Sequence, residues 1–289
     1  MKHTVDAHQH FWSLPRGDYG WLTPQSGSIH RDFGPRDLAP LLQQAGIERT
    51  VLVQAAPTEA ETHYLLDIAA ATPYVAAVVG WVDLAARNAP DRLAALAANG
   101  LLRGVRPMLQ DLPDPQWMLG DDLRPALAAL VELGLRFDAL VKPVHLRPLL
   151  TFLERNPDLA VVVDHGAKPA LRSGALDAWA RDIRAIARET PALCKLSGLV
   201  TEASADWQPG DLTDCISHLL DCFGPDRLMW GSDWPVVELA GGYRRWHDAA
   251  RDCLSSISAS ERERIFGANA ARFYGFDQGE ARTGEARTS

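Results

Sequence analysis

The chain of 289 residues lacks any long hydrophobic run, and its longest aliphatic stretches, such as Leu159 to Val163, are far too short to span a bilayer. Its opening residues, MKHTVDAHQHFW, have none of the apolar core of a secretory signal, so a cytoplasmic location is the expectation. No basic run occurs, and a formal net charge of −8 argues against nucleic acid or an anionic membrane as partner. Cysteine is sparse: Cys194, Cys215, Cys222 and Cys253 form neither a CxxC pair nor a dense framework, and read as buried thiols in a reducing compartment. Lysine is rarer than arginine and is confined to Lys2, Lys142, Lys168 and Lys195. A small molecule is the partner these absences leave, with self-association into a homo-oligomer left open.

What is present is a globular composition, 47% hydrophobic and 23% charged. Short β-branched or aliphatic runs alternate about eight times with helical periodicity. The strands expected are 4–7, 50–53, 75–82, 101–105, 136–141, 159–164, 192–196 and 227–230. Between them, Pro35 to Ala45 stops at Gly46. Asp121 or Asp122 is placed to cap Leu123 to Leu133, and Asp211 to open Leu212 to Cys222. Eight βα units predict an α/β fold, a TIM-like (β/α)8 barrel over residues 1–276; an open doubly wound sheet is the rival with the same alternation. Residues 277–289 contain the tandem GEARTGEART, which can bury no apolar surface, so a disordered tail is expected there.

Two βα connections are long. Phe11 to Gly34 carries Trp12, Tyr19, Trp21 and Phe33, and Pro107 to Gly120 carries Trp117; each is either a binding loop or a variable surface insertion. Alternation in the first strand puts Asp6, His8 and His10 on one face, with two imidazoles in reach of one ion. His165 follows strand six in VVVDHGAKP, and Asp233 follows strand eight in LMWGSDWP. Polar residues at several strand C-termini meet at the top of a barrel, where such folds keep active sites. Lys168 and Lys195 lie at strand ends and serve either a site or an ordinary salt bridge. Gln54, Trp81 and Arg106 are substrate contacts if they point to the mouth and barrel packing if they do not. His63, His218 and His247 fall in helices and receive no role.

The VDAHQHFW opening, the DHGAKP turn, the WGSDWP turn and the closing IFGANAARFYGF resemble the amidohydrolase superfamily, in its sugar-lactonase branch. The resemblance extends from Val5 to Phe276. It implies that His8, His10, His165 and Asp233 are catalytic and metal-binding residues, and that Asp233 moves protons. It has gaps as well. Strand four, LLRGVRPM, has no lysine to carboxylate and no glutamate, so a bridged two-metal centre is not expected. Strand five, FDALVKPVHL, has no histidine at its end, and the later His145 is a substrate contact, a loop residue or a displaced ligand.

One zinc at most is therefore implied, in a site of imidazole and carboxylate ligands with a position open for water. The reaction implied is opening of a sugar lactone to an aldonic acid by water that Asp233 activates, with or without that zinc. Two other readings remain at this point: a zinc-dependent decarboxylase or other hydrolase on the same barrel, and a non-catalytic barrel that binds a sugar acid.

Overall fold

The computed structural model describes residues 4–276. Eight parallel strands follow chain order: β1 Val5–Gln9, β2 Arg49–Val53, β3 Val75–Gly80, β4 Leu102–Val105, β5 Arg136–Ala139, β6 Val161–Val163, β7 Leu193–Leu196 and β8 Leu228–Trp230. Every consecutive pair is hydrogen-bonded. The strand order never reverses, which removes the doubly wound rival. The last strand returns to the first: Asp233 N donates to His8 O at 2.8 Å and His10 N to Trp234 O at 2.7 Å. The result is a (β/α)8 barrel with its helices outside. The polar tail lies outside the described residues, and among those residues no helix is long and apolar enough to cross a membrane.

The helix Pro35–Ala45 ends as expected, with Gly46 at φ 69°. Two expected caps differ. Asp121–Leu123 is a 3-10 turn leading into the helix Arg124–Glu132, and Asp121 pairs with Arg124 at 2.8 Å instead of capping. Asp211 sits at the third position of the helix Pro209–Phe223, within its first turn, and accepts Gln208 N at 2.8 Å, because Pro209, needing no amide partner, takes the first helical position.

The first strand also departs from simple alternation. Asp6 pairs with Thr50 but Gln9 pairs with Leu52, so three residues of β1 advance against two of β2. This bulge turns Asp6 away from the histidines. Its carboxylate accepts Ser232 N at 2.8 Å and Tyr243 Oη at 3.1 Å, the latter from the outer helix Tyr243–Cys253. His8 and His10 stay at the mouth, so the one-face expectation holds for them and fails for Asp6.

Below the mouth the barrel interior carries an apolar cluster in which Ala7, Val51, Val53, Ala77, Val79, Val162 and Met229 pack together. Ala270, Phe273 and Tyr274 of Asn269–Tyr274, the last helix among the described residues, join that cluster and form the barrel floor. Asn269 anchors the helix by donating from Nδ2 to Pro225 O at 2.7 Å and Leu228 O at 2.6 Å. A larger apolar layer, including Leu52, Val78, Leu38 and Leu65, joins the strands to the helices.

Candidate active site

Four side chains from three strand ends converge at the mouth. His10 Nδ1 donates to Val53 O at 2.8 Å, an acceptor-only partner that leaves the lone pair of a neutral ring on Nε2. That Nε2 lies 3.2 Å from His8 Nε2 and 3.3 Å from Asp233 Oδ1. Asp233 Oδ1 is also 3.8 Å from His8 Nε2 and 3.9 Å from His165 Nε2. His165 is held from behind by Ser197 Oγ, 2.8 Å from its Nδ1. Both His165, at φ 56°, and Asp233, at φ 58°, occupy the left-handed region that non-glycine residues rarely adopt.

Burial governs the electrostatics. It lowers the imidazole of His10, and it lowers His165 to about 4 even though Asp233 and Asp164 pull the other way. Burial and then Lys195 hold His8 well below the usual histidine value. Burial would raise Asp233, but His165, the hydrogen bond to His10, and His8 outweigh it and keep the carboxyl below its ordinary range. An ionised carboxylate facing neutral imidazoles can accept a proton or share a cation. His8, His165 and Asp233 each offer one ligand atom within 4.8 Å of the others, a donor set that suits one metal ion. His10 stands beside this triplet, its Nε2 against the same carboxylate oxygen.

The other expected contacts divide. Arg106 is buried: Nη1 lies 3.4 Å from His8 Nε2 and 3.6 Å from Asp164 Oδ2, and Nη2 donates to Gln54 O. Gln54 Nε2 donates to Arg106 O at 2.7 Å, while its Oε1 and Arg106 Nε have no hydrogen-bond partner. Lys195 lies in the barrel interior against His8. Trp81 lines a cavity of about 640 Å³ with Trp21, Trp117 and Met108. Both long loops contribute to that cavity, and Met108 Sδ also receives Gln54 Nε2 at 3.1 Å, which joins the cavity wall to the buried Arg106. Lys168 lies at the rim, 4.0 Å from Glu202. His145 is buried but turns back on its own loop, where Nδ1 accepts Lys142 N at 3.1 Å. A separate cavity of about 1060 Å³ is lined by residues of the outer helices Arg124–Glu132 and Leu146–Arg155 and their adjoining loops, and by none of these groups.

Sequence reasoning missed the residues behind the cluster. Asp164, fully buried, lies 3.1 Å from Lys195 Nζ and 3.5 Å from His8 Nδ1; burial would raise it, but Lys195 and His8 hold it well below the carboxylate range. Asp138 accepts Lys195 Nζ at 2.6 Å and Tyr274 Oη at 2.7 Å, and burial raises it to about 6 against both. Asp138 was readable as an acid at an interior position of the fifth strand, and Asp164 as the residue before the DHGAKP histidine. Two glycines make room. A Cβ on Gly198 would stand 2.6 Å from His165 Nδ1, and one on Gly231 would stand 2.6 Å from His8 Cβ.

Residues 5–276 match the Amidohydrolase family. An L-fucono-1,5-lactonase of Burkholderia ambifaria is 45% identical over 96% of this chain and 97% of its own length. A second L-fucono-1,5-lactonase, from Burkholderia multivorans, is 37% identical over 93% of this chain and 95% of its own. The crystal structure of an amidohydrolase from B. multivorans with bound zinc superposes with a TM-score of 0.89 at 36% identity, covering 94% of this chain and 99% of that one.

Proposed function

We propose that this chain, which belongs to the amidohydrolase family over residues 5–276, hydrolyses a sugar lactone of the L-fucono-1,5-lactone class to its aldonic acid. The observation that carries the reading is the convergence of His8, His10 and His165 on one oxygen of an ionised Asp233 at the barrel mouth. The substrate named for relatives at 45% and 37% identity supports the class of ester.

In this reading Asp233 takes a proton from water as the water oxygen bonds to the lactone carbonyl carbon. The charge that develops on the carbonyl oxygen is met by His165 and Arg106. The ring C–O bond then breaks, and the proton on Asp233 passes to the departing hydroxyl. Zinc, held by His8, His165 and Asp233 with His10 beside them, would supply Lewis acidity to water and carbonyl. The tryptophan-lined cavity has the size of a small-molecule site, and its aromatic walls suit the faces of a sugar ring. Gln54, Trp81 and Arg106 serve as substrate contacts in this proposal. Lys168 and His145 fall at its edge, and Lys195 acts from behind His8. The free thiols of all four cysteines support a cytoplasmic setting.

A pH-indicator screen of aldonolactones in both enantiomeric series tests the reading, run before and after chelation with elemental analysis of the protein. Acid release should be fastest on lactones of the L-fucono-1,5 type, and zinc should account for one atom per chain at most. Failure to accelerate any lactone would refute the assignment.

A further inference from the structure

The barrel interior holds a polar column beside its apolar cluster, and the lactonase mechanism above gives Tyr274 and Asp138, at the lower end of that column, no task. The column runs from the floor to the mouth. Tyr274 Oη donates to Asp138 Oδ2 at 2.7 Å, and Asp138 Oδ2 accepts Lys195 Nζ at 2.6 Å. Lys195 Nζ also lies 3.1 Å from Asp164 Oδ1 and 3.2 Å from His8 Nδ1. Asp138 and His8 take two of the three N–H groups of this ammonium, and Asp164, whose carboxylate oxygens have no hydrogen-bond partner, faces it as an ion-pair partner.

The consequence falls on His8. Its Nδ1 is hydrogen-bonded to Lys195 Nζ at 3.2 Å and has the Asp164 carboxylate, Oδ1 at 3.5 Å, beside it without a hydrogen bond. If Lys195 donates there, the ring proton resides on Nε2 and is offered to His10 Nε2, which is an acceptor because His10 Nδ1 donates to Val53 O. If Nδ1 instead carries the proton toward Asp164, the lone pair moves to Nε2 and faces Asp233. The exact place of Lys195 decides between them. That place depends on Asp138, whose Oδ1 has no hydrogen-bond partner, so Tyr274 and Lys195 alone orient the carboxylate. A buried ion pair is seldom kept for stability, since apolar residues of similar volume serve as well or better.

We propose that Tyr274 and Asp138 are positioning residues for the reaction, holding Lys195 Nζ against Nδ1 of His8 and so fixing the placement of that imidazole at the mouth. The proposal rests on the lactonase reading for its kinetic arm only. Tyr274→Phe keeps the ring that packs with Ala7 and Val162 in the barrel-floor cluster and removes only the hydroxyl. It should lower kcat about tenfold, the effect of one hydrogen bond to a charged group, and leave KM within about twofold. Asp138→Asn should do the same, and the double variant should be no worse than either single one, as for residues acting in one chain.

The second arm reads the histidine itself. In metal-depleted, 15N-histidine-labelled protein, the two ring nitrogens of His8 should give widely separated signals, a single tautomer, and in Tyr274→Phe they should draw together as tautomers mix. Tyr74→Phe is the control: its hydroxyl donates to Pro35 O at 2.7 Å, outside the column, and its loss should move neither kinetics nor His8. Unchanged His8 signals in both Tyr274→Phe and Asp138→Asn would overturn the proposal, as would additive losses of kcat. If wild-type protein opens no lactone, the lactonase reading fails while the nitrogen signals still decide this one.

Discussion

Replacing Asp233 by asparagine separates the chemistry of its carboxylate from its place in the fold. Asparagine is the substitution of choice because residue 233 sits at φ 58°, where alanine would add about 1–2 kcal/mol of backbone strain and asparagine is tolerated. The backbone bond from residue 233 N to His8 O, 2.8 Å, is untouched, so the closure of β8 on β1 survives. What is lost is the charge. The wild-type oxygen that lies within 3.3 to 3.9 Å of three imidazoles becomes an amide that holds no transferable proton site. A positioned general base contributes about 10²- to 10⁴-fold, so kcat on an L-fucono-1,5-lactone should fall by at least about a hundredfold. Stability should stay within about 1 kcal/mol, since a buried charge leaves along with its hydrogen bond. Initial rates of acid release across a range of lactone concentrations, with thermal unfolding of the same preparations, measure both quantities. A well-folded asparagine variant that keeps kcat within about threefold of wild type would remove Asp233 from the mechanism.

Gly198→Ala should cripple turnover and lower stability by about 1–3 kcal/mol, because the residue has φ 59° and its new methyl would stand 2.6 Å from His165 Nδ1; unfolding and steady-state rates of the variant check it. Glu61 is buried against the amides of Ala55 and Ala56, and burial raises its carboxyl to about 7. A folded-state value above the unfolded one means stability is fullest below the unfolded value near 4.5 and falls as pH rises through 7; Glu61→Gln should flatten that part of the pH–stability curve, worth up to about 3 kcal/mol. Lys168 has φ 50° and a distant partner in Glu202, so Lys168→Gly should raise stability slightly, by less than about 1 kcal/mol. A raised KM in that variant would make Lys168 a substrate contact, and unchanged kinetics would leave it a rim ion pair.

The barrel was legible because each strand announces itself over a few residues and the eight do so at regular spacing. The placement of His8, His10, His165 and Asp233 was legible for a related reason: residues immediately after barrel strands reach the mouth whatever the helices do. Three things were not. The bulge in β1 that turns Asp6 outward depends on pairing with β2, and nothing in VDAHQH marks where one strand slips on another. The helix starts near Asp121 and Asp211 depend on prolines in the first turn, Pro125 and Pro209, so a capping residue near a start does not date the start. The column beneath His8 joins Asp138, Asp164, Lys195 and Tyr274, residues far apart in sequence that meet only after closure. Lys195 could be noticed for its rarity, but its partners could not be named.

The backbone argues independently for where function lies. Among the described residues, the non-glycine positions with positive φ are His165, Ala167, Lys168 and Asp233, all within the DHGAKP and WGSDWP turns. Each such position costs of order 1–3 kcal/mol and persists only where surrounding contacts over-determine it. Those contacts are visible: Ser197 holds the His165 ring, Gly198 and Gly231 vacate the space that His165 and His8 need, and the amide of Asp233 is tied to His8 O. A scaffold selected for stability alone would relax these turns with glycine or asparagine. Keeping an imidazole and a carboxylate in them aims both side chains at one point between β1, β6 and β8, which relaxed turns of the same length would not do. The strain is thus confined to the residues whose direction matters, and the remaining mouth residues, Gln54 and Arg106 among them, reach their places from unstrained strand ends.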